Sequence, residues 1–309
     1  MNKENFTSVT DFVLTGLEIQ NNLQGFIFLI ILLIYILTLV ANLSIMIISA
    51  YDASLHTPMY FFLYNLAILD IFYSSSVVPK MLTDLVSQKK TISYYGCMLQ
   101  VHFFHFLGSA EVALFSVMSF DRYVAIAHPL RYMTIMSYQV CCGLAFYSWT
   151  VGFSHALVHT IMTSRLPFCG VNVVEHFFCD IKPLLKLACT DVSLNIKLLA
   201  RFTGPYAACH LVLTMLSYIF IGKCLIKIKT SQGRKRALST CSGHFTVVTL
   251  QYGTVLFTYA RPSSKSSLVQ DRAAAIMFTV ITPALNPILY TLRNNDFKKG
   301  LKKFFKMSH

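Results

Sequence analysis

The stretch Met118-Ser119-Phe120-Asp121-Arg122-Tyr123-Val124-Ala125-Ile126-Ala127-His128-Pro129-Leu130-Arg131-Tyr132 is where an apolar run stops at a pair of opposite charges and the chain then reaches a proline. The run before it, 96–120, is long enough to cross a bilayer, so Asp121 and Arg122 fall where water or headgroups first solvate charge. On this reading Asp121 ends a helix and sits badly against its macrodipole, and the adjacent arginine relieves it by pairing. A side chain from another helix or a partner can replace that pairing, which makes the two residues a latch. Alone, Asp-Arg reads better as a solvated pair that merely positions a helix. The rest of the chain decides for the latch.

Working outward, seven charge-poor runs (26–50, 58–78, 96–120, 140–163, 202–222, 237–260 and 273–292) each reach the ~20 residues a membrane helix needs. Hydrophobic residues make up 55% of the 309 and charged ones 13%, against about a quarter charged in soluble domains. A globular core needs no such set of lengths. The expected fold is an all-α seven-transmembrane helix bundle over 26–292, preceded by an exposed extracellular tail (1–25). A cytoplasmic tail (293–309) follows, in which Phe297, Leu301, Phe304 and Phe305 among lysines predict a short amphipathic eighth helix.

A net charge of +13 raises the question of nucleic acid. Position excludes it: the basic clusters lie between the fifth and sixth runs and after the seventh, as cytoplasmic flanks beside anionic lipid do. Asn5-Phe6-Thr7 fits a glycosylation acceptor, which puts the N-terminus outside and, after seven crossings, the C-terminus inside. The first run has no basic region and cleavage site before it and is expected to act as an uncleaved signal anchor. With that topology Cys97, Cys169, Cys179 and Cys189 lie outside, where disulfides persist, and four cysteines allow three pairings.

Polar groups inside the runs come next. Asn42, Asp70, Glu111 and Asn286 lie on four different runs, ~10 to ~18 Å from the cytoplasmic ends by helical rise, with the two acids level. A buried carboxylate is costly unless it faces the interior. Two together either share a proton or bind a cation such as sodium; the alternative is an interhelical hydrogen-bond clamp with one acid protonated. Pro283 and Pro287 flank Asn286 and free carbonyls that neighbours must satisfy. The polar segment 165–201 is too long for a bare connector and is expected to fold as a cap.

Five motifs in order on these runs resemble the olfactory receptors of the rhodopsin-like G-protein-coupled class: Pro58-Met59-Tyr60-Phe61-Phe62-Leu63, Asp121-Arg122-Tyr123-Val124-Ala125-Ile126, Ser217-Tyr218, Leu238-Ser239-Thr240-Cys241-Ser242-Gly243-His244, and Pro283-Ala284-Leu285-Asn286-Pro287-Ile288-Leu289-Tyr290. The segment Leu166-Pro167-Phe168-Cys169-Gly170 is similar to the tetrapod-type subgroup. The resemblance implies disulfides Cys97–Cys179 and Cys169–Cys189. It also implies a switch in which Arg122 is released to meet a G-protein tail while Tyr218 and Tyr290 rearrange beside it, with Asp121, Tyr123, Asn286 and Pro287 as further coupling positions, and a stimulatory heterotrimeric G protein that raises cAMP. The chain departs from the pattern at several positions, among them Gln251, where phenylalanine is usual.

The implied ligand wall is the outer half of the bundle: Phe104, His105, Gly108, Ser109 and Val112 on the third run; Phe202, Thr203 and Tyr206 on the fifth; Tyr252, Val255, Leu256 and Tyr259 on the sixth; Thr279 on the seventh. Such a wall, apolar with a few hydroxyls, suits a small, volatile, mostly neutral odorant. A retinal protein needs a Schiff-base lysine in the last run, and 273–292 has none. A transporter would show inverted repeats, which are not found. His176, Cys179 and Asp180 are possible ligands of a metal-dependent enzyme, but a bridged Cys179 loses its thiolate. The expectation is a receptor with no catalytic residues and no cofactor beyond a sodium ion at Asp70 and Glu111; a rhodopsin-like receptor for a lipid or peptide is the alternative.

Overall fold

The computed structural model describes residues 9–17, 19–170, 172–259, 267–291 and 295–307. Its long helices are α1 (Asn21–Tyr51), α2 (Pro58–Val86), α3 (Tyr94–Ala127), α4 (Tyr138–Ser164), α5 (Ser193–Lys227), α6 (Ser231–Tyr259) and α7, in which Ser267–Ile276, Met277–Ile281 and Thr282–Thr291 follow without a break. An amphipathic helix, α8 (Asn295–Met307), follows. Starts are set by local chemistry: Pro58 opens α2 where its missing N–H costs nothing, and the Ser93 and Ser137 hydroxyls accept amides at the first turns of α3 and α4.

Among the described residues, α1 to α5 and α7 are long and apolar enough to cross a membrane. The polar groups that lower the apolarity of α6 include His244 and Gln251, and both are buried inside the bundle. The outward side chains of α1, by contrast, are large and apolar: Leu29, Leu33 and Val40 are each more than half exposed, the pattern of a lipid-facing surface.

The third helix is the axis, packed on α2, α4, α5 and α6. Its crossing with α4 is so close that a Cβ at Gly152 would lie 2.6 Å from the Ala110 amide nitrogen, so only glycine fits there. At one end of the bundle α8 folds back along α1: Phe297 is buried, the Phe304 ring meets Tyr51 at 5.5 Å, and Lys303 reaches Asp52 at 3.5 Å.

The helix ends differ from the sequence expectation. Because α3 runs on to Ala127, Asp121 lies well inside a helix and not at its C-terminus. A charge ends an apolar run, but it does not end a backbone hydrogen-bond ladder that can continue into headgroups or water. For the same reason α2 extends to Val86 and α5 begins at Ser193, which leaves a cap shorter than 165–201.

Residues 9–17 are not an exposed tail. β1 (Asp11–Leu14) pairs antiparallel with β2 (Thr91–Ser93) and parallel with β3 (Val173–Val174), in the order β2-β1-β3. Phe12 and Leu14 are buried against Val101, Phe168 and Val174. A single apolar triplet is too short a run to announce a strand, and its partners lie far along the chain. The Cys97–Cys179 and Cys169–Cys189 disulfides are both formed, and they pin the cap to α3 and to itself. Asn5 lies outside the described residues.

Candidate functional site

At mid-bundle, Asn286 on α7 donates its amide to Asp70 Oδ1 on α2 (2.8 Å) and to Glu111 Oε1 on α3 (3.3 Å). Gln251 on α6 donates to the other Glu111 oxygen at 3.2 Å. All four side chains are buried. Asn42 stands beside this group but not in it: its amide donates to the Pro283 carbonyl (3.1 Å) and to Thr38 (3.0 Å). Pro287 has no N–H to offer the carbonyl four residues before it, and Asn42 on α1 supplies the missing donor. Gln251 was legible only as a departure from the family pattern, and its partner shows what the change does.

Toward the C-terminal end of α3, Arg122 forks onto Asp121, with Nε at 2.9 Å from Oδ2 and Nη2 on the same oxygen. The Tyr132 hydroxyl donates to the second Asp121 oxygen (2.7 Å) and accepts from Arg122 Nη2 (3.2 Å). Asp121 and Arg122 are almost wholly buried, so the pair is not a solvated one. Tyr132 closes the quoted stretch, yet only its position in space makes it part of the latch. Of the other residues expected in the switch, Tyr123 packs on Phe220 at 5.6 Å, and the Tyr218 hydroxyl meets His244 Nδ1. The Tyr290 ring stands 6.1 Å from His244. His244 thus joins α5, α6 and α7, a role its motif position alone did not reveal.

The outer half is threaded by imidazoles and hydroxyls. Ser109 on α3 bonds His155 Nδ1 on α4 (2.9 Å), and His155 Nε2 bonds Thr203 on α5 (3.1 Å). Thr203 also bonds His159 Nε2 (2.9 Å), and the Tyr206 hydroxyl donates to the Ser109 carbonyl (2.6 Å). Thr203 ends the π-helical turn Leu199–Thr203, and Thr279 lies inside the second such turn, donating to Ala275 at 2.8 Å. His155 and His159 escaped the sequence reading because nothing local marks a histidine in α4 as facing α5.

The remaining wall residues are dispersed. Phe104 packs on Phe178 of the cap at 4.7 Å and on Tyr73 at 5.4 Å, and Gly108 also adjoins Tyr73. Phe202 stacks on His155 at 5.3 Å, while Val112 and Tyr252 are buried. The side chains of Val255, Leu256 and Tyr259 lie outside the described set.

Over this network His105 Nε2 pairs with Asp180 of the cap at 3.1 Å. Burial pushes the Asp180 carboxyl up, but the hydrogen bond and charge of His105 outweigh it and hold the group at about 2. His176, buried in the cap, is pushed down to about 4, chiefly by loss of hydration. Cys179 is in a disulfide, and no group of three His, Cys, Asp or Glu side chains among the described residues is placed to hold a metal ion.

A buried polar cluster across α2, α3, α6 and α7, a latched arginine below it and a disulfide-pinned cap above it form the arrangement of a signalling receptor rather than an enzyme. Comparison with known proteins agrees. A family model described as olfactory receptor matches residues 31–307. The chain is 51% identical over 303 residues to human Olfactory receptor 12D1, covering 98% of this chain and 95% of that one. It is 50% identical to human Olfactory receptor 12D3 over 98% of this chain and 96% of that one, and 43% identical to mouse Olfactory receptor 5G9 over 97% and 96%. With a match running from the first membrane helix to the last turn of α8, the chain belongs to the olfactory receptor family and is a seven-transmembrane receptor.

Proposed function

We propose that this receptor binds small, mostly neutral volatile molecules in the outer half of its bundle and activates a stimulatory heterotrimeric G protein to raise cAMP. On this reading it acts from the plasma membrane, with its N-terminus outside and its C-terminus inside. The observation that carries the ligand class is the self-pairing of the outer half. Ser109, His155, Thr203, His159 and Tyr206 spend their polar groups on one another, and the acid Asp180 is matched by His105. A charged ligand has no unmatched counter-ion among these groups, whereas aromatic surface at Phe104, Phe202 and Tyr252 favours a compact apolar one. Val255, Leu256, Tyr259 and Thr279 complete the wall in this reading. The Asp121–Arg122–Tyr132 latch supports coupling, since the arginine reaches a partner only after two hydrogen-bonded neighbours release it.

The central cluster supports a second element. Asp70 Oδ2, Gln251 Oε1 and Asn286 Oδ1 are buried and accept no hydrogen bond. A sodium ion or a shared proton would satisfy oxygens of this kind. One experiment tests both parts: cAMP in transfected cells against a broad odorant library and a peptide library, for the native chain and Glu111→Gln at matched surface expression, with sodium varied in membranes. Expected are responses to neutral volatiles and a weakened sodium dependence in the variant. Responses to peptides alone would overturn the ligand class. An unchanged basal level and sodium response in Glu111→Gln would leave the cluster a hydrogen-bond clamp.

A further inference from the structure

The hydrogen-bond partners of Arg122, Asp121 and Tyr132, lie on α3 itself and on the connection that follows it. Releasing the arginine breaks no hydrogen bond to α6. That helix is held by a different face. His244, Val247, Val248, Gln251 and Tyr252 are buried, at the spacing of one helical stripe, while Leu238 and Phe245 are about half exposed on other sides. Nearer the start of α6, His244 meets Tyr218 of α5 and Tyr290 of α7, and a Cβ at Gly243 would lie 2.9 Å from the Leu289 carbonyl oxygen, so α6 is fitted closely to α7. Toward α3 the His244 ring stands 6.2 Å from Phe115, and Gln251 Nε2 donates to Glu111 Oε2 at 3.2 Å.

The Gln251–Glu111 bond differs from the packing around it. The Gln251 oxygen is buried and accepts no hydrogen bond, so the polar contribution of this side chain is directed at Glu111 alone. Glu111 takes one amide on each oxygen, from Asn286 at 3.3 Å and from Gln251, and α3 is thereby joined to α7 and α6 through a single carboxyl group. Glu111 is buried, so an oxygen that loses its donor there bears the full cost of being desolvated. Contacts between valines weaken gradually with distance, but a hydrogen bond of this length is lost within about 1 Å of further separation. Movement of α6 away from α3 breaks it. We propose that Gln251 is a positioning residue: it fixes α6 to α3 in the resting bundle and forms a second tie, separate from the Asp121–Arg122–Tyr132 latch. Any state in which the two helices part is populated only as far as a ligand or partner offsets the lost bond.

The pairing carries its own rescue. In the double variant Glu111→Gln with Gln251→Glu, donor and acceptor change helices. The amide now on α3 keeps its oxygen toward Asn286 and turns its NH₂ to the carboxylate on α6. One carboxylate and both hydrogen bonds are retained.

The test compares the native chain, Gln251→Met and the exchanged pair. Purified full chains in phosphatidylcholine nanodiscs are read by amide exchange at one pH, and transfected cells by basal cAMP at matched surface expression. Gln251→Met keeps the length of the side chain and drops its amide. It should lower the protection of the amides of 231–250 about fivefold, the worth of one hydrogen bond, with 138–164 unchanged, and raise basal cAMP by a similar factor. The exchanged pair should return both readouts most of the way to native. Native-like protection in Gln251→Met would overturn the proposal, and so would an exchanged pair no better than Gln251→Met. Only the cAMP arm rests on the proposed coupling: a native chain silent in cells would count against that coupling, while exchange, read without odorant or G protein, still decides the tie. Should Gln251→Met not fold, Gln251→Asn, whose amide is one methylene too short to reach Glu111, takes its place with the same two outcomes.

Discussion

The two ends of this bundle keep their polar groups satisfied in opposite ways. At the end that carries α8 a charged pair and one phenol, Asp121, Arg122 and Tyr132, close on each other within a short stretch of chain. In the outer half Ser109, His155, His159 and Thr203, drawn from three helices, are joined through uncharged hydroxyls and imidazoles. A charge-assisted pair is strong but can be exchanged for an equally charged partner, as a switch requires. A network of hydroxyls and buried imidazoles has no such substitute, so it holds helices in register. The difference teaches that α3 is tied by hydroxyls and imidazoles above and by a charged pair below, and the proposed switch needs only the lower tie to exchange.

The outer network gives the largest expected effect. Thr203 serves two buried imidazoles, so Thr203→Val, which keeps the shape, leaves two nitrogens unpaired at a cost of roughly 2 to 6 kcal/mol. Unfolding of the purified receptor should show that loss, and Thr203→Ser should recover most of it. A valine variant as stable as the native chain would break the contrast, because the outer half would then be no more fixed than the inner.

Acid should sharpen it at the cap. The pKa of His176 falls from its ordinary 6.5 to about 4 on folding, so the neutral ring contributes stability that is full above pH 6.5 and is lost as the pH drops toward 4. The ceiling is about 3 kcal/mol. Asp180, held at about 2, loses its contribution only below its unfolded value near 3.8, so His176 acts before it as the pH falls. The protection of the amides of 173–185, relative to intrinsic exchange at each pH, should therefore fall between pH 7 and 4.5. An equal fall in the 128–137 connection would show that the effect is not local to the cap.

Legibility in the sequence follows the same division. The seven runs, the intramembrane acids and the Asp-Arg pair are local signals of composition, and a charge in an apolar run needs no knowledge of the fold to be noticed. Asn286 between Asp70 and Glu111 was within reach because helical rise converts sequence distance into depth. The disulfide pairings came from resemblance, since four cysteines alone leave three solutions. What stayed hidden is non-local. Ser109, Thr203 and Tyr206 read as free hydroxyls for a ligand, but the direction of α4 that brings His155 and His159 to them is set by packing. Tyr132 was in view as a residue and not as a donor, because the turn that carries it back to Asp121 has no local marker. The strand at Phe12 was missed for the same reason.

The smallest expected effect bears on the central claim, that Arg122 is held closed by Asp121 and Tyr132 and must be released to signal. Removing one hydroxyl with Tyr132→Phe costs the latch about 1 kcal/mol, roughly a fivefold shift of its equilibrium. The measurement is basal cAMP at matched surface expression for the native chain, Tyr132→Phe and Arg122→Ala. The account predicts basal activity raised several-fold in Tyr132→Phe and abolished, with and without odorant, in Arg122→Ala. Native-like basal activity in the first together with native-like signalling in the second would contradict it.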